Sequence, residues 1–483
     1  MLILPALGAA LCLILSRPRH VLTAIVGVSA LQLVLAANLW TAVLGGHGFV
    51  TAAASWLYVD AFSAFHIIVL ALVFVLSSVF AGVYFTNASS DQTFTLTIAR
   101  RYGALWLGSL AAMTLVLVSN SLGIMWVGME ATTLLTAFLI SLYPNRLSLE
   151  AMWKYLLICS IGIAFAFMGT LLAAASLQVG SAGETAFFWT NLASAETHVD
   201  PTLMKFAFIF VLVGYGTKAG LAPIHSWLPD AHSQAPTPVS AMFSGFLLNT
   251  ALYCIMRFVP PARHALGEHF ASGLLIFFGT LSILVAAGFI VFQRDAKRLL
   301  AYHSVEHLGI IALGYGLGPL GAFAALFHTF NHSVCKALAF FAVGRLGQEF
   351  GSHEMHAISG ALRADRLWGT ALLVSFLALI GVAPFSIFMS EYQLLRAAVS
   401  AGAWLPLALF LLASGVVFVA ALRHVIAMAF GIPTATVRVA RNGSAAFLIV
   451  GVAMGLLLLL GLWMPLSLSK AIGSAAAIVA GQP

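Results

Sequence analysis

Long apolar runs recur along the whole chain and limit its fold more than any other feature. About fourteen of these runs have the length of a membrane-spanning helix, roughly 20 residues. Hydrophobic residues occupy 61% of the 483 positions and charged residues only 8%. A soluble core could not bury so much apolar side chain. The sequence therefore predicts an all-α polytopic membrane protein.

The apolar runs also predict where the transmembrane helices lie. In chain order their expected bounds are 2–16, 21–43, 59–85, 102–119, 122–142, 155–177, 203–222, 237–257, 271–292, 299–317, 321–344, 367–390, 404–422 and 444–464. The first run has no basic residue before it and is followed by Arg17 and Arg19. This order favours a retained first helix with its N-terminus outside over a cleaved signal peptide.

The net charge of +7 is explained by membrane topology and does not indicate nucleic-acid binding. With the N-terminus outside, 15 of the 22 lysines and arginines fall in inner loops and five lie outside. The remaining two, Lys218 and Lys336, lie inside predicted spans. The bias is what the positive-inside rule expects of a multi-pass protein of a bacterial inner membrane.

The seventh predicted span contains a lysine and is interrupted by a proline. Lys218 lies inside an apolar run, just before Gly220-Leu-Ala-Pro223. A charged side chain in the middle of a spanning helix costs about 2.5–3.5 kcal/mol on insertion scales and is usually functional. Proline breaks the helix, which membranes tolerate only where protein or a wet cavity satisfies the freed backbone groups. The pattern predicts a polar cavity near mid-membrane.

A similar interruption occurs in the twelfth predicted span. Gly381-Val-Ala-Pro384 repeats the pattern of the first break, and Glu391 follows it. The seventh span runs inward and the twelfth outward. Broken helices at corresponding places in two oppositely oriented halves indicate an inverted-repeat transporter with sites near the midplane.

Further ionisable residues lie inside the predicted spans. Glu130 in the fifth span is expected to have Lys218 as its partner, either as a static ion pair or as a pair that tunes the proton affinity of the lysine. Two rows lie at helical spacing, each on one helix face: His303, Glu306 and His307, and then His328, His332 and Lys336.

Histidine titrates near neutrality, so these rows suit a proton relay. Metal or haem binding by helical histidine pairs and structural bridging between helices stay open as alternatives. No Gly-rich phosphate loop, Cys-x-x-Cys or helical His-Glu-x-x-His is present, so no cofactor, metal or catalytic residue is predicted.

Several segments together resemble the antiporter-like subunits of respiratory complex I, membrane-bound hydrogenases and multisubunit sodium/proton antiporters. The resemblance covers roughly residues 100 to 430. Its segments are Lys218-Ala-Gly-Leu-Ala-Pro-Ile-His-Ser-Trp-Leu-Pro-Asp-Ala-His-Ser-Gln-Ala-Pro-Thr-Pro, Lys297-Arg-Leu-Leu-Ala-Tyr-His-Ser-Val-Glu-His-Leu-Gly, His328-Thr-Phe-Asn-His-Ser-Val-Cys-Lys336 and Ala383-Pro-Phe-Ser-Ile-Phe-Met-Ser-Glu391. Ser-Val-Glu-His-Leu-Gly and the last segment resemble most closely the F subunit of hydrogenase-4-type complexes.

The resemblance implies about fourteen transmembrane helices with two inverted five-helix repeats and broken helices 7 and 12. The expected divisions are 1–101 for helices 1–3, 102–257 and 258–422 for the two repeats, and 423–483 for the last helix and tail. It also implies a midplane row of proton-transfer residues, with Pro223 and Pro384 at the helix breaks: Glu130, Lys218, His225, Asn249, His303, Glu306, His307, His328, His332, Lys336 and Glu391. Asn249 departs from complex I relatives, which often carry Lys or His there.

The function implied is that of a proton-translocating membrane subunit that performs no redox chemistry itself. Its expected partners are other membrane subunits, a peripheral redox module and the lipid bilayer. A sodium/proton antiporter subunit is the alternative within the same fold, and sodium dependence would distinguish it. A membrane enzyme that binds metal or haem through the histidines is the alternative in another class.

Overall fold

Twenty-one α-helices and one β-hairpin make up the described part of the chain in this computed structural model. The structure describes residues 1–46, 48–86, 94–177, 184–194, 198–433, 437 and 442–481. The hairpin pairs β1 (Phe49–Ala52) with β2 (Leu57–Asp60). The helices are α1 Ile3–Ile14, α2 Pro18–Gly45, α3 Ala61–Thr86, α4 Leu96–Val118, α5 Leu122–Ile140, α6 Arg146–Ala175, α7 Trp189–Leu192, α8 Pro201–Ala219, α9 Trp227–Gln234, α10 Thr237–Met242, α11 Leu248–Arg257, α12 Val259–Leu266, α13 Glu268–Ile290, α14 Ala296–Gly316, α15 Gly318–Phe350, α16 Ala361–Ala364, α17 Arg366–Leu379, α18 Ser386–Ser400, α19 Trp404–Ala429, α20 Ser444–Leu462 and α21 Leu466–Val479. A 3₁₀ turn spans Glu184–Phe187 and a π-helical turn Phe243–Leu247.

The helical membrane architecture expected from the apolar runs is confirmed. Within the described residues, ten helices are long and apolar enough to cross a membrane by length and composition. Several details differ from the sequence expectations. The β-hairpin, α12 and α21 were not predicted, and α15 continues to Phe350 rather than ending near residue 344.

Side-chain caps explain several helix starts. α6 begins nine residues before the expected 155, because Asn145 and Ser148 form a reciprocal capping box. The Asp200 carboxylate accepts hydrogen bonds from two backbone N–H groups at the start of α8. Asp365 does the same at the start of α17. These polar residues stand at the ends of apolar runs and fix where each helix begins.

Loops expected on the same side of the membrane contact one another. The Asp230 carboxylate pairs with Lys154 of α6 at 3.0 Å and with Arg298 of α14 at 2.7 Å. The loop before α14 meets the loop after α15 through a hydrogen bond from the Met355 N–H to the Arg294 carbonyl, at 2.8 Å. All these segments were expected on the inner side.

The opposite end of the bundle carries a buried ion pair. The Arg257 guanidinium at the end of α11 donates to both carboxylate oxygens of Asp60, at 2.6 and 2.8 Å, and through Nε to Tyr253 at 2.9 Å. It also donates to Ser63 at the start of α3 and lies 4.5 Å from the centre of the Trp189 ring. We call these five residues the outer clamp. It joins α3, α7 and α11 through a fully hydrogen-bonded, buried charge pair.

The first predicted helix break lies between α8 and α9. Gly220 has φ +76°, a left-handed conformation that glycine adopts without strain. The Leu221 N–H then bonds back to the Gly216 carbonyl at 2.9 Å, which closes α8 in a Schellman-like turn. The chain runs without helix until α9 begins at Trp227.

The second predicted break, between α17 and α18, has the same local geometry. Gly381 has φ +71°, and the Val382 N–H bonds back to the Leu377 carbonyl at 3.0 Å. In both breaks a cis peptide precedes the proline, Pro223 or Pro384. The Gly-x-Ala-Pro pattern in the sequence therefore marks two local structures of one kind.

Candidate functional site

Lys218 lies in the last turn of α8, immediately before the first break, and its side chain is 0% exposed. Its Nζ donates to the Thr133 hydroxyl of α5 at 2.8 Å and to the Tyr155 hydroxyl of α6 at 2.5 Å. The ammonium also lies 4.7 Å from the centre of the Tyr155 ring. Neutral hydroxyl groups and an aromatic face therefore hold this lysine.

Glu130 is not paired directly with Lys218, contrary to the simplest expectation from the sequence. Its Oε1 accepts a hydrogen bond from Ser160 of α6 at 3.1 Å, and no ion pair within 4.0 Å joins it to Lys218 in the described structure. Glu130 is one helical turn from Thr133, so the two groups share a neighbourhood. The Thr133 and Tyr155 hydroxyls take the place next to the ammonium that the carboxylate was expected to fill.

Asn249 follows the π-helical turn and is 1% exposed. Its Nδ2 donates to the Gly245 carbonyl at 3.2 Å and to the Ser333 hydroxyl of α15 at 3.4 Å. π turns inside α-helices are frequent at functional sites. Asn249 thus connects the helix after the first break with α15.

Lys336 lies one turn beyond Ser333 on α15 and is also 0% exposed. Its Nζ donates to the backbone carbonyl of Leu300 in α14 at 2.6 Å. Lys218 and Lys336 are thus both buried, and neither has an acidic partner within ion-pair distance among the described residues.

The histidines of α14 and α15 form a series of neighbouring side chains, in which two hydrogen-bonded groups are joined by the proximity of the His303 and His307 rings. His303 Nδ1 lies 3.0 Å from Glu306 Oε2, and His307 Nδ1 lies 2.9 Å from His328 Nε2. His328 Nδ1 is in turn 2.9 Å from the Ser390 hydroxyl of α18. The ring centres of His303 and His307 are 6.3 Å apart. The structure brings together both histidine rows predicted from helical spacing.

Glu391 follows Ser390 directly and ends this series at the second break. Its carboxylate lies against Gly381, at a place where a side chain on Gly381 would collide with Oε2. The residue is half-buried. The second break thus makes room for an acidic side chain, just as the first break follows a basic one.

The position of Gly381 gives a prediction for Gly381→Ala. We expect this variant to displace the Glu391 carboxylate, because the new Cβ would overlap it and φ +71° is strained for alanine. If the chain transports ions, as the resemblance implies, transport by the assembled complex should fall severely. Gly273→Ala is the matched control, since a Cβ there meets nothing within 4 Å. Equal transport by both variants would contradict the prediction.

Two expected site residues stand outside this series. His332 is fully buried with its ring centre 5.1 Å from that of His307, and neither of its ring nitrogens has a hydrogen-bond partner among the described residues. His225 lies in the first break, 6.2 Å between ring centres from both Phe289 and Tyr302. His332 therefore joins the cluster by contact, whereas His225 lies apart from it.

Sequence reasoning missed several partners of the predicted residues. Thr133, Tyr155 and Ser390 are hydroxyl residues inside apolar helices, which carry no distinguishing signal. His232 is 0% exposed, and its ring stacks on Phe340 with centres 5.2 Å apart. His232 could have been singled out from the sequence, because it lies in the Pro-Asp-Ala-His segment that follows the first break.

Comparisons with known proteins identify the family of the chain. Residues 119–417 match the family described as "NADH:quinone oxidoreductase/Mrp antiporter, TM". The "Hydrogenase-4 component F homolog" of Methylacidiphilum infernorum (isolate V4) is 43% identical over 305 residues, 62% of this chain and 63% of that protein. The "Hydrogenase-4 component B" of Escherichia coli (strain K12) is 29% identical over 355 residues, 70% of this chain and 50% of that protein. The chain thus spans between half and two thirds of the length of these relatives.

The fold is also similar to that of solved membrane complexes. A chain in the "Structure of the membrane-bound sulfane sulfur reductase (MBS), an archaeal respiratory membrane complex" superimposes with a TM-score of 0.87 at 24% identity. The alignment covers 99% of this chain and 96% of that one. At this identity the likeness concerns the fold.

Proposed function

The chain belongs to the NADH:quinone oxidoreductase/Mrp antiporter transmembrane family, and from this membership we propose that it moves protons across the membrane as one subunit of a hydrogenase-4-type redox complex. The observation that carries the proposal is a cluster of titratable side chains in which hydrogen bonds join His303 to Glu306 and His307 to His328. The rings of His303 and His307 are neighbours with centres 6.3 Å apart, and His328 also contacts the hydroxyl of Ser390, the residue before Glu391. Imidazoles and carboxylates that lie close together inside a membrane suit proton transfer.

The proposed path begins at the first break. Movement of Glu130 relative to Lys218 would change the electrostatic environment of the lysine, and its proton would pass by way of Asn249 to Lys336. The histidine series would then carry a proton to Glu391 at the second break. His225 would serve as a separate proton-transfer residue beside the first break, close to the ends of α13 and α14.

The energy for this transport would come from partners. Moving one proton against 100 mV takes about 2.3 kcal/mol, and the residues of the proposed path perform acid–base steps only. A peripheral redox module would supply this work through neighbouring membrane subunits. The named relatives, components of hydrogenase-4, support a partner complex of that kind.

We assign the chain to a bacterial inner membrane with fourteen spans and the N-terminus outside. Residues 102–257 and 258–422 would form two inverted repeats, with 1–101 and 423–483 flanking them. The matching turns at Gly220 and Gly381 support this division, since each opens a break in the corresponding helix of its half.

Redox-driven transport by the complex in liposomes tests the proposal. We expect the internal pH to change on addition of the electron donor, in media with and without sodium. No pH change in tightly sealed liposomes would contradict proton translocation. A pH change that requires sodium would instead support a sodium/proton antiporter subunit; the family description also names an antiporter.

Asn249 gives a sharper prediction about the path. If water held by Asn249 joins the two lysines, Asn249→Leu should slow transport severely, because an ordered water needs two to four polar partners. Asn249→Lys, which restores the basic residue of complex I relatives, should transport nearly as well as wild type. Rates are to be normalised to assembled protein. A fully active Asn249→Leu variant would remove Asn249 from the path. If Asn249→Leu transports faster than Asn249→Lys, Asn249 has a structural role.

A further inference from the structure

Three metal-ligating side chains of α14 converge inside the histidine cluster. His303, Glu306 and His307 each offer one ligand atom, and these atoms lie within 4.8 Å of one another. Their side chains are buried, with exposures of 0%, 4% and 0%. The order His-x-x-Glu-His on one helix occurs in a class of zinc enzymes, where the two histidines bind the ion. It is the reverse of the His-Glu-x-x-His order that is absent from the sequence.

Unpaired nitrogen atoms in the cluster are a second and independent observation. His303 Nε2 and His307 Nε2 are buried without a hydrogen-bond partner among the described residues. Both ring nitrogens of His332, which lies against His307, are likewise unpartnered there. Buried polar atoms are nearly always hydrogen-bonded, so several unpaired imidazole nitrogens at one place call for a ligand.

We propose that His303, Glu306 and His307 form a three-ligand binding site for a divalent transition-metal ion such as Zn²⁺, next to the ring of His332. Two imidazoles and one carboxylate are ligands that suit zinc, copper or nickel, whereas Mg²⁺ takes oxygen ligands and keeps its waters. The proposal concerns binding and does not need the proton path to be correct.

The required rearrangement is small. Zinc binds nitrogen and oxygen at about 2.0–2.2 Å, so neighbouring ligand atoms of a tetrahedral site are about 3.4 Å apart. The His303 ring already contacts Glu306, with Nδ1 3.0 Å from Oε2. The atoms that lie up to 4.8 Å apart need to approach by about one ångström or slightly more, which side-chain rotation provides.

The neighbouring polar residues suggest how an ion could reach the proposed metal site. Glu391 is half-buried at the second break, and Ser390 and His328 connect it with His307. We expect an ion to enter beside Glu391 and to reach the cluster through Ser390 and His328. Once bound, it would take the nitrogen lone pairs on which the proposed relay depends, so zinc should also inhibit transport; this second effect rests on the proposed function.

Zinc bound to the purified complex tests the site. The complex in lipid nanodiscs is equilibrated with Zn²⁺ in excess Mg²⁺, freed of unbound ions by gel filtration and measured by plasma mass spectrometry. We expect wild type to hold one zinc more per complex than the His303→Gln/His307→Gln double variant. Glu306→Gln should weaken the affinity about tenfold or more. His232→Gln, which alters an equally buried histidine outside the cluster, should bind as wild type does.

The outcomes separate binding from transport. Equal zinc content in wild type and the double variant, with both assembled to the same level, overturns the metal site. If the double variant assembles poorly, zinc affinity is measured in the milder Glu306→Gln variant instead. An unchanged zinc affinity in Glu306→Gln overturns the role of the carboxylate. The double variant could lack the extra zinc while the wild-type complex binds it but moves no protons. That result would uphold the metal site and overturn the proposed function alone.

Discussion

Replacing Lys218 by alanine is expected to reduce redox-driven proton transport to the level of protein-free liposomes, while the complex still assembles. Lys218 is the buried cation at the first break, and in the proposed path every proton passes through it. Its partners are the neutral hydroxyls of Thr133 and Tyr155. Removing the ammonium therefore leaves no unpaired charge behind, and the fold should tolerate the loss.

Two companion variants make this result interpretable. Lys205→Ala removes an exposed lysine from the same helix and should transport as wild type does. Tyr155→Phe removes one of the two hydrogen bonds to Lys218 and should slow transport without abolishing it. Wild-type transport by assembled Lys218→Ala protein would reject Lys218 as a carrier.

Replacing Asp60 by asparagine is expected to destabilise the protein by about 3–5 kcal/mol, because breaking a buried pair leaves an uncompensated charge. The side chains of Arg257 and Asp60 are only 5% and 3% exposed, and five hydrogen bonds surround the guanidinium and carboxylate. Denaturant unfolding of the purified subunit in detergent, followed by tryptophan fluorescence, measures the change.

Glu150→Gln is the matched control for Asp60→Asn. It breaks the pair between Glu150 and Lys154, whose side chains are 52% and 46% exposed, and such exposed pairs contribute about 0–1 kcal/mol. We therefore expect a clear difference between two charge-neutralising changes of the same chemistry. Similar free energies of unfolding for both variants would show that the outer clamp does not stabilise the fold.

Residue type explains which parts of the site could be predicted. Lys218, Pro223 and Glu391 each stand out in an apolar run, because their cost in a membrane is large. Helical spacing then placed His303 and His307 on one helix face. It placed His328 and Lys336 together on a face of the next helix. These signals are local, so the sequence was sufficient to find both breaks and the histidine cluster.

The contacts that could not be predicted join distant residues of ordinary type. Asp60 and Arg257 are separated by 197 positions, and nothing in either neighbourhood identifies the other. Charge alone predicted Glu130 within direct or water-bridged reach of Lys218, and the described structure shows no direct pair between them. The Tyr155 hydroxyl, which takes the place of the carboxylate, looks in the sequence like any aromatic residue of an apolar helix.

The outer clamp also bears on how the molecule can move. At that end, a buried and bidentate charge pair anchors three helices to one another. At the other end, the Asp230 pairs with Lys154 and Arg298 are partly exposed, with side-chain exposures of 23%, 46% and 40%. Exposed pairs of this kind exchange readily with water and salt. One end of the bundle is thus held by a buried charge pair and the other by pairs open to solvent, so we expect a partner to displace helices more at the end that carries Asp230.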